Sequence, residues 1–331
     1  MKKTDRDYLF LSSMLKAREA TMLSADTLER MLAAGSFAEA AKILAELGWP
    51  DVSGLDRAGV DAALSARREE VFAEVHRFAP EKELPELFRL RYDYHNAKAV
   101  IKGEGAGVDA AYLLSGAGRV SREKLEDAFR EEDYRFIPTM LGAAMREARD
   151  VLSRTGNPQL ADIVLDRACF AEMKALADVL DNRFVSRYVE LSVDGANLRT
   201  CVRCLRIGKD AEFLRSALIP GGSLSVDRLS QIVTAGEGVT AAFAGTVYAE
   251  AAALGAEAVH GGRLTDFELA CDNMLMRYLR NARMAGFGPQ LVAGYLAAEE
   301  NNITAARMIL TGLQAGLSPE RIKERLRETY A

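Results

Sequence analysis

One arrangement occurs three times along this chain: an acidic residue, two spacers and an asparagine, leading into an apolar helical run. It stands at Glu299-Glu300-Asn301-Asn302-Ile303-Thr304-Ala305-Ala306-Arg307, at Asp194-Gly195-Ala196-Asn197-Leu198-Arg199 and, more loosely, at Asp93-Tyr94-His95-Asn96-Ala97-Lys98. From Asn96 to Asn197 is 101 residues, and from Asn197 to Asn302 is 105. Landmarks at nearly equal spacing predict one helical unit written three times, and such periodicity decides the fold before any local detail does.

A second signature keeps the same register. In Leu23-Ser24-Ala25-Asp26-Thr27-Leu28, Ser24 can accept a hydrogen bond from a free N–H of a first helical turn, and Asp26 sits near the positive end of the helix dipole. Leu23 and Leu28 occupy the two positions of a hydrophobic staple. The pattern returns as Val120-Ser121-Arg122-Glu123-Lys124-Leu125, as Leu224-Ser225-Val226-Asp227-Arg228-Leu229 and as Leu317-Ser318-Pro319-Glu320-Arg321-Ile322, the last with proline at the favoured first helical position. The serines lie 97, 104 and 93 residues apart, and the first three precede their asparagines by 72, 76 and 77 residues. Any one copy is what an ordinary helix start looks like; the shared register is the argument for triplication.

The units read as helical throughout. Eight prolines in 331 residues, with Ala, Leu, Glu and Arg abundant, favour helix over sheet, so the fold class is all-α. Helices are predicted over residues 7–22, 36–47, 57–78 and 84–102, then 138–154, 158–180, 183–191 and 197–207, then 239–254, 263–284, 289–298, 303–313 and 319–330. Gly103-Glu104-Gly105-Ala106-Gly107 reads as a connector and Gly208-Lys209-Asp210 as a second, dividing the chain into repeats 1–104, 105–209 and 210–331. A period near 100 exceeds the roughly 20–50 residues of a solenoid repeat, so each repeat is a small helical bundle. Three bundles could stand in a row or close around a pseudo-threefold axis, and the spacing leaves both open.

Composition removes several function classes. A net charge of −5 gives no basic surface for nucleic acid. Met1-Lys2-Lys3 is followed by Thr4-Asp5-Arg6-Asp7, not by the apolar core of a signal peptide. The longest apolar stretch, residues 238–249 between Glu237 and Glu250, is shorter than the about 20 residues a spanning helix needs. Four cysteines (Cys169, Cys201, Cys204, Cys271) are too sparse for a disulfide scaffold and suit a reducing cytosol.

Catalytic and cofactor motifs are thin. There is no Gly-x-x-x-x-Gly-Lys-Ser/Thr loop, and neither Gly103–Gly107 nor Gly286-Phe287-Gly288 follows a strand, so no cofactor is expected. Cys201-Val202-Arg203-Cys204 has metal or redox spacing, but Leu198, Cys201, Val202 and Leu205 follow the spacing of a buried helix face, and a second pair of ligands is missing. His76, His95 and His260 are far apart, and His95 beside Asn96 reads as part of a helix-end network rather than as a base. Asp178-Val179-Leu180-Asp181 spaces two carboxylates as a magnesium-dependent all-α enzyme would, or merely solvates a helix end.

The asparagines have two readings. An amide that both donates and accepts can tie a helix start to a neighbouring helix, or three equivalent faces can surround a partner. After the landmark, Arg199, Arg203 and Arg206 trace a basic stripe that Lys98 and Lys102 match in the first repeat, while the third offers Thr304 and Met308. The stripe is a solvated face or a binding surface.

Residues 8–49, with Ala17-Arg18-Glu19 and Leu23 to Leu32, together with the three landmarks, resemble the C-type subunit family of V-type and A-type ATPases, related to the d-type subunit of eukaryotic V-ATPase. The resemblance spans essentially the full length and rests on order and triplicate spacing. It implies an all-α funnel of three related helical bundles about a pseudo-threefold axis, without catalysis of its own. Such a protein is a socket: it receives the end of the central shaft (D-type and F-type subunits), rests on the proteolipid ring, and couples ATP turnover to proton or sodium movement. The implied location is cytoplasmic, attached peripherally through the membrane sector. On this resemblance Asn96, Asn197 and Asn302 organise the helices lining the socket, and Lys98, Lys102, Arg199 and Arg203 offer polar contacts to shaft or ring. A free-standing helical adaptor for a soluble partner is the alternative, and a magnesium enzyme built on Asp178 and Asp181 a third.

Overall fold

A computed structural model describes residues 3–234 and 238–331. Met1 and Lys2, where the signal-peptide reading begins, and Glu237, a flank of the apolar stretch, lie outside the described residues. Those described form sixteen α-helices, a few 3-10 turns and no strand. In chain order they are α1 (Leu9–Glu19), α2 (Ala25–Ala33), α3 (Phe37–Glu46), α4 (Arg57–Phe78), α5 (Glu83–Ala106), α6 (Arg122–Arg130), α7 (Thr139–Thr155) and α8 (Pro158–Leu180). There follow α9 (Arg183–Arg206), α10 (Ala211–Ala217), α11 (Val226–Thr234), α12 (Gly238–Ala242), α13 (Ala249–Val259), α14 (Leu264–Arg280), α15 (Pro289–Gln314) and α16 (Pro319–Lys323). The all-α expectation holds.

The helices pack into two compact units, one of Met1–Pro85 with Gly245–Ala331, the other of Glu86–Ala244. In the first, α15 is the central helix and packs on α1, α2, α3, α4 and α14. Leu23, Leu28, Met31 and Leu44 from the chain's beginning share one apolar cluster with Ile303, Ile309 and Leu310 near its end. In the second, α8 lies between α7 and α9, and α9 also meets α10 and α12. Phe88 and Tyr188 stack there with ring centroids 5.3 Å apart.

All four predicted serine caps form. Ser24, Ser121, Ser225 and Ser318 Oγ accept from the N–H groups of Thr27, Lys124, Arg228 and Arg321 at 3.2, 3.3, 3.3 and 3.5 Å, a contribution of about 1 kcal/mol per cap. Leu23 and Leu28 of the first staple are both buried.

The first landmark lies inside a helix as expected, and the second and third depart from expectation in one consistent way: they too are helix interiors. Residues 183–191 and 197–207 are one helix, α9, and residues 289–298 and 303–313 are one helix, α15. Gly195 in mid-helix costs about 1 kcal/mol relative to alanine, but Val193, Asp194, Gly195, Asn197 and Leu198 are all buried, so tertiary packing outweighs that local preference. The side chains of Asn96 and Asn197 bond outside the helix instead of competing for its backbone, which removes their usual helix-breaking effect. Likewise Gly103–Ala106 is no connector but the last turn of α5. It ends at Gly107 (φ 67°), with Val108 N–H donating to Gly103 O at 2.9 Å. The other landmark helices end in the same motif, at Gly208 (φ 66°) with Lys209 N–H on Cys204 O and at Gly316 (φ 71°) with Leu317 N–H on Gly312 O. The predicted helix 239–254 is broken at Gly245 (φ 74°). The helix expected over 319–330 stops at Lys323, and backbone groups of the segment beyond it bond to other helices.

Candidate functional site: three acid and asparagine latches

In the first copy, on α5, Asn96 grips one loop residue by both of its backbone groups. Asn96 Nδ2 donates to Ser115 O and Ser115 N–H donates to Asn96 Oδ1, each at 2.8 Å. One helical turn away, Asp93 takes the loop's next handhold: Val120 N–H donates to Oδ1 at 3.1 Å and Arg119 Nε to Oδ2 at 2.6 Å. Arg119 also donates to Glu172 on α8 at 2.8 Å, and the Tyr94 hydroxyl donates to that carboxylate at 2.9 Å. Asp93 is fully buried. Burial pushes its carboxyl up, and the Arg119 guanidinium and the Val120 amide oppose that.

The second copy, on α9, repeats the geometry with different chemistry. Asn197 Nδ2 donates to Ile219 O, and Ile219 N–H donates to Asn197 Oδ1, again at 2.8 Å each. Asp194 accepts from Ser223 N–H at 2.8 Å and from Ser223 Oγ at 2.6 Å. Burial pushes the Asp194 carboxyl up, with only the serine's hydroxyl and amide and a weaker influence of Arg187 to oppose it.

Both loops come close enough to the acid to require glycine. A Cβ at Gly118 would fall on Asp93 Oδ1, and one at Gly222 on Asp194 Oδ1, well inside van der Waals contact. Each glycine stands three residues before its capping serine, Ser121 or Ser225. Asparagine, glycine and serine thus form one device: the amide sets the loop's register, the acid seats its turn, and the serine starts the next helix.

The third copy, on α15, lacks the loop. From its asparagine to the next capping serine is 25 residues in the first copy, 28 in the second and only 16 in the third. Asn302 is buried, and its Nδ2 has no hydrogen-bond partner. Glu299 pairs instead with Arg67 of α4 at 3.3 Å and Glu300 with Arg68 at 2.9 Å, while the Arg67 guanidinium lies 3.8 Å over the Trp49 ring. Burial pushes the Glu299 carboxyl up, against the pull of Arg67, Tyr295 and Arg18.

The basic residues predicted beside the asparagines divide. Lys98 and Lys102 face α8, pairing with Asp166 at 2.6 Å and Asp162 at 3.1 Å. Arg199 is half-buried and Arg203 exposed on α9. Among the weaker motifs, Cys201 is buried in the core and its thiol is pushed up to about 12 by burial, which leaves it inert. Among the described residues no group of three or more His, Cys, Asp or Glu could hold a metal ion. His95 Nε2 lies 3.1 Å from Leu113 O. Asp178 is bonded by Lys174 at 3.0 Å, and Asp181 is the left-handed cap of α8 (φ 43°), so both have structural explanations. Sequence reasoning missed Arg119, Glu172 and Ser223. It also missed Gly118 and Gly222, although their fixed distance from the capping serines was a visible signal.

The family model described as ATP synthase (C/AC39) subunit matches residues 11–325. The C-type subunit of the V-type sodium ATPase of Enterococcus hirae is 27% identical over 98% of this chain and 99% of its own length. The C-type subunit of the V-type ATP synthase of Thermus thermophilus is 23% identical over 96% of this chain and 98% of its own. The C-type subunit of the A-type ATP synthase of Pyrococcus furiosus is 32% identical, over 42% of this chain and 39% of its own.

Proposed function

The chain belongs to the ATP synthase (C/AC39) subunit family, and from that premise we propose that it is the non-catalytic socket of a rotary V/A-type ATPase. In this reading it links the central shaft, made of D-type and F-type subunits, to the proteolipid ring, and couples ATP hydrolysis or synthesis to proton or sodium transport. The observation that carries the reading is the end-to-end similarity to the Enterococcus hirae protein, over 98% of this chain and 99% of that one. The latches add a physical reason. A part that transmits torque must not yield at its loops, and here two long loops are each fastened to a helix interior by an amide pair and a buried carboxylate.

No helix among the described residues is long and apolar enough to cross a membrane, so attachment in this proposal is peripheral, on the cytoplasmic side, through the ring. Asn96 and Asn197 organise the socket by holding its loops, and Asn302 marks the third corner of a pseudo-threefold funnel of repeats. Of the candidate contacts, Arg203 stands first because it is exposed, with the half-buried Arg199 one turn away. Lys98 and Lys102 are paired with Asp166 and Asp162, with which a partner would have to compete. The test is removal of this chain from the assembled complex. ATP hydrolysis should persist while ion pumping is lost; pumping that survives without the chain overturns the reading. Charge reversal at Arg199 and Arg203 that leaves shaft binding unchanged removes those two as contacts.

A further inference from the structure

The last segment of the chain is bound as a ligand would be bound. Residues 324–331 leave the helical fold after α16 and cross α14, the 3-10 turn Asn281–Met284 and α15, all within one compact unit. Two asparagines read both backbone groups of a single residue: Glu328 N–H donates to Asn273 Oδ1 at 2.8 Å, and Asn301 Nδ2 donates to Glu328 O at 3.0 Å. This is the chemistry by which Asn96 and Asn197 hold their loops, divided between two helices. The Glu328 carboxylate lies between Arg277, at 2.7 Å, and Arg280, at 3.3 Å. Arg280 also donates to Thr329 O, and Arg283 donates to Tyr330 O at 3.0 Å. Tyr330 is 1% exposed, and its ring lies against Gly294, where a Cβ would come within 2.7 Å of the phenol oxygen.

We propose that α14, the turn Asn281–Met284 and α15 form a peptide-recognition groove specific for an acidic residue, one spacer and an aromatic, which a segment of that pattern on another protein occupies in place of the chain's own Glu328-Thr329-Tyr330. Each part has a role that recognition requires. The asparagine pair and the arginines on successive carbonyls read backbone, which supplies affinity for any extended segment. Arg277 and Arg280 select the acid, and the pocket at Gly294 selects the aromatic. The spacer, Thr329, turns its hydroxyl back on the segment itself, donating to Ala331 O at 3.0 Å.

The charged part of the resident segment's hold faces solvent, while Tyr330 is buried and Arg327 pairs with Asp272 at 2.7 Å. Arg277 is 53% exposed and the Glu328 side chain 29%, so their attraction is partly screened by water and weakened by salt. The phenol oxygen of Tyr330 is buried without a hydrogen-bond partner, so the pocket rewards the ring and not the hydroxyl.

A labelled peptide of residues 325–331 (Arg-Leu-Arg-Glu-Thr-Tyr-Ala), followed by fluorescence anisotropy, tests the proposal on the full-length chain and on its full-length Tyr330→Ala variant. The variant should bind the peptide at least about tenfold more tightly than the wild type, because apparent affinity scales with the fraction of grooves left open. Binding should be lost when the peptide's glutamate becomes lysine or its tyrosine alanine, should be kept when the tyrosine becomes phenylalanine, and should weaken as salt is raised. Equal binding to both chains, or binding indifferent to those two peptide positions, overturns it. If Tyr330→Ala loses the helical circular dichroism of the wild type, Glu328→Lys, which frees the two arginines and leaves the aromatic packing in place, gives the same reading.

Discussion

The loops held by α5 and α9 are fastened by the same asparagine geometry, with a different group facing the acid in each. At Asp93 the carboxylate meets a guanidinium that continues to Glu172, so one loop joins α5 to α8 through a buried chain of charges. At Asp194 it meets a serine hydroxyl and an amide, and that loop reaches α8 through a separate bond, from Arg167 Nε to Leu218 O at 3.2 Å. The amide pair, alike in both copies, is therefore what the device needs, because it fixes which loop residue sits on the helix. How the acid is neutralised is free to differ: at Asp93 the neutralising group itself carries the fastening on to α8, whereas at Asp194 the bond to α8 is made elsewhere in the loop.

The largest expected effect follows from the charged version. Arg119→Met leaves Asp93 and Glu172 buried without their shared cation, which costs about 3–5 kcal/mol. Ser223→Ala removes one hydrogen bond of the neutral version and should cost about 1 kcal/mol. Denaturant unfolding of the two variants measures the contrast, and equal losses would break the comparison.

A smaller contrast sets the second latch against the third. Asn197→Leu removes both of its hydrogen bonds and strands the buried N–H and carbonyl of Ile219, at about 2–3 kcal/mol. Asn302→Leu removes an amide whose Nδ2 has no partner, so the same substitution should be neutral or stabilising by up to about 1 kcal/mol. A loss at Asn302 as large as that at Asn197 would mean that the third copy is closed after all.

How much of this could be read beforehand depends on the range of the signal. Caps are local: Ser24, Ser121, Ser225 and Ser318 can be identified because cap, dipole and staple all lie within one turn. The landmark asparagines are visible as a repeat, yet Asn197 and Asn302 are misplaced at helix starts, because Gly195 and Asn197 carry weak helix preference and the burial that overrides it comes from distant residues. The split of α15 into two expected helices fails for the same reason, since Glu299, Asn301 and Asn302 look polar in sequence but are buried. What the acids bond to is out of reach. Arg119 lies 26 residues from Asp93 and 53 from Glu172, and no periodicity links positions so far apart. The embrace of residues 324–331 is hidden likewise, as Arg-Leu-Arg-Glu-Thr-Tyr reads as an ordinary helical stretch until its backbone groups find Asn273 and Asn301.

The smallest effect is the most diagnostic of the neutral latch. The groups facing Asp194 are Ser223, Glu190 and Arg187, and burial outweighs the help that Ser223 and Arg187 give the charged form, so the folded protein holds its proton above the ordinary carboxylate value of 3.8. A carboxyl whose folded value is raised favours the folded state when protonated. Its contribution is fully present below the unfolded value and is lost as pH rises through the folded one. Asp194→Asn imitates the protonated group, keeping an acceptor for Ser223 N–H and offering its own N–H to the serine oxygen. Stability at neutral pH should therefore be unchanged or higher by up to about 1 kcal/mol, and the loss of stability on raising pH from the ordinary carboxylate range should become shallower than in the wild type. Burial raises Asp93 as well, against Arg119 and the Val120 amide, so Asp93→Asn should flatten the pH profile in the same direction. It differs in removing one of the two carboxylates that face Arg119. Unfolding curves for both variants across the acid range are the measurement: a destabilised Asp194→Asn protein with an unaltered pH profile would show that its carboxylate is held in the charged form by a serine.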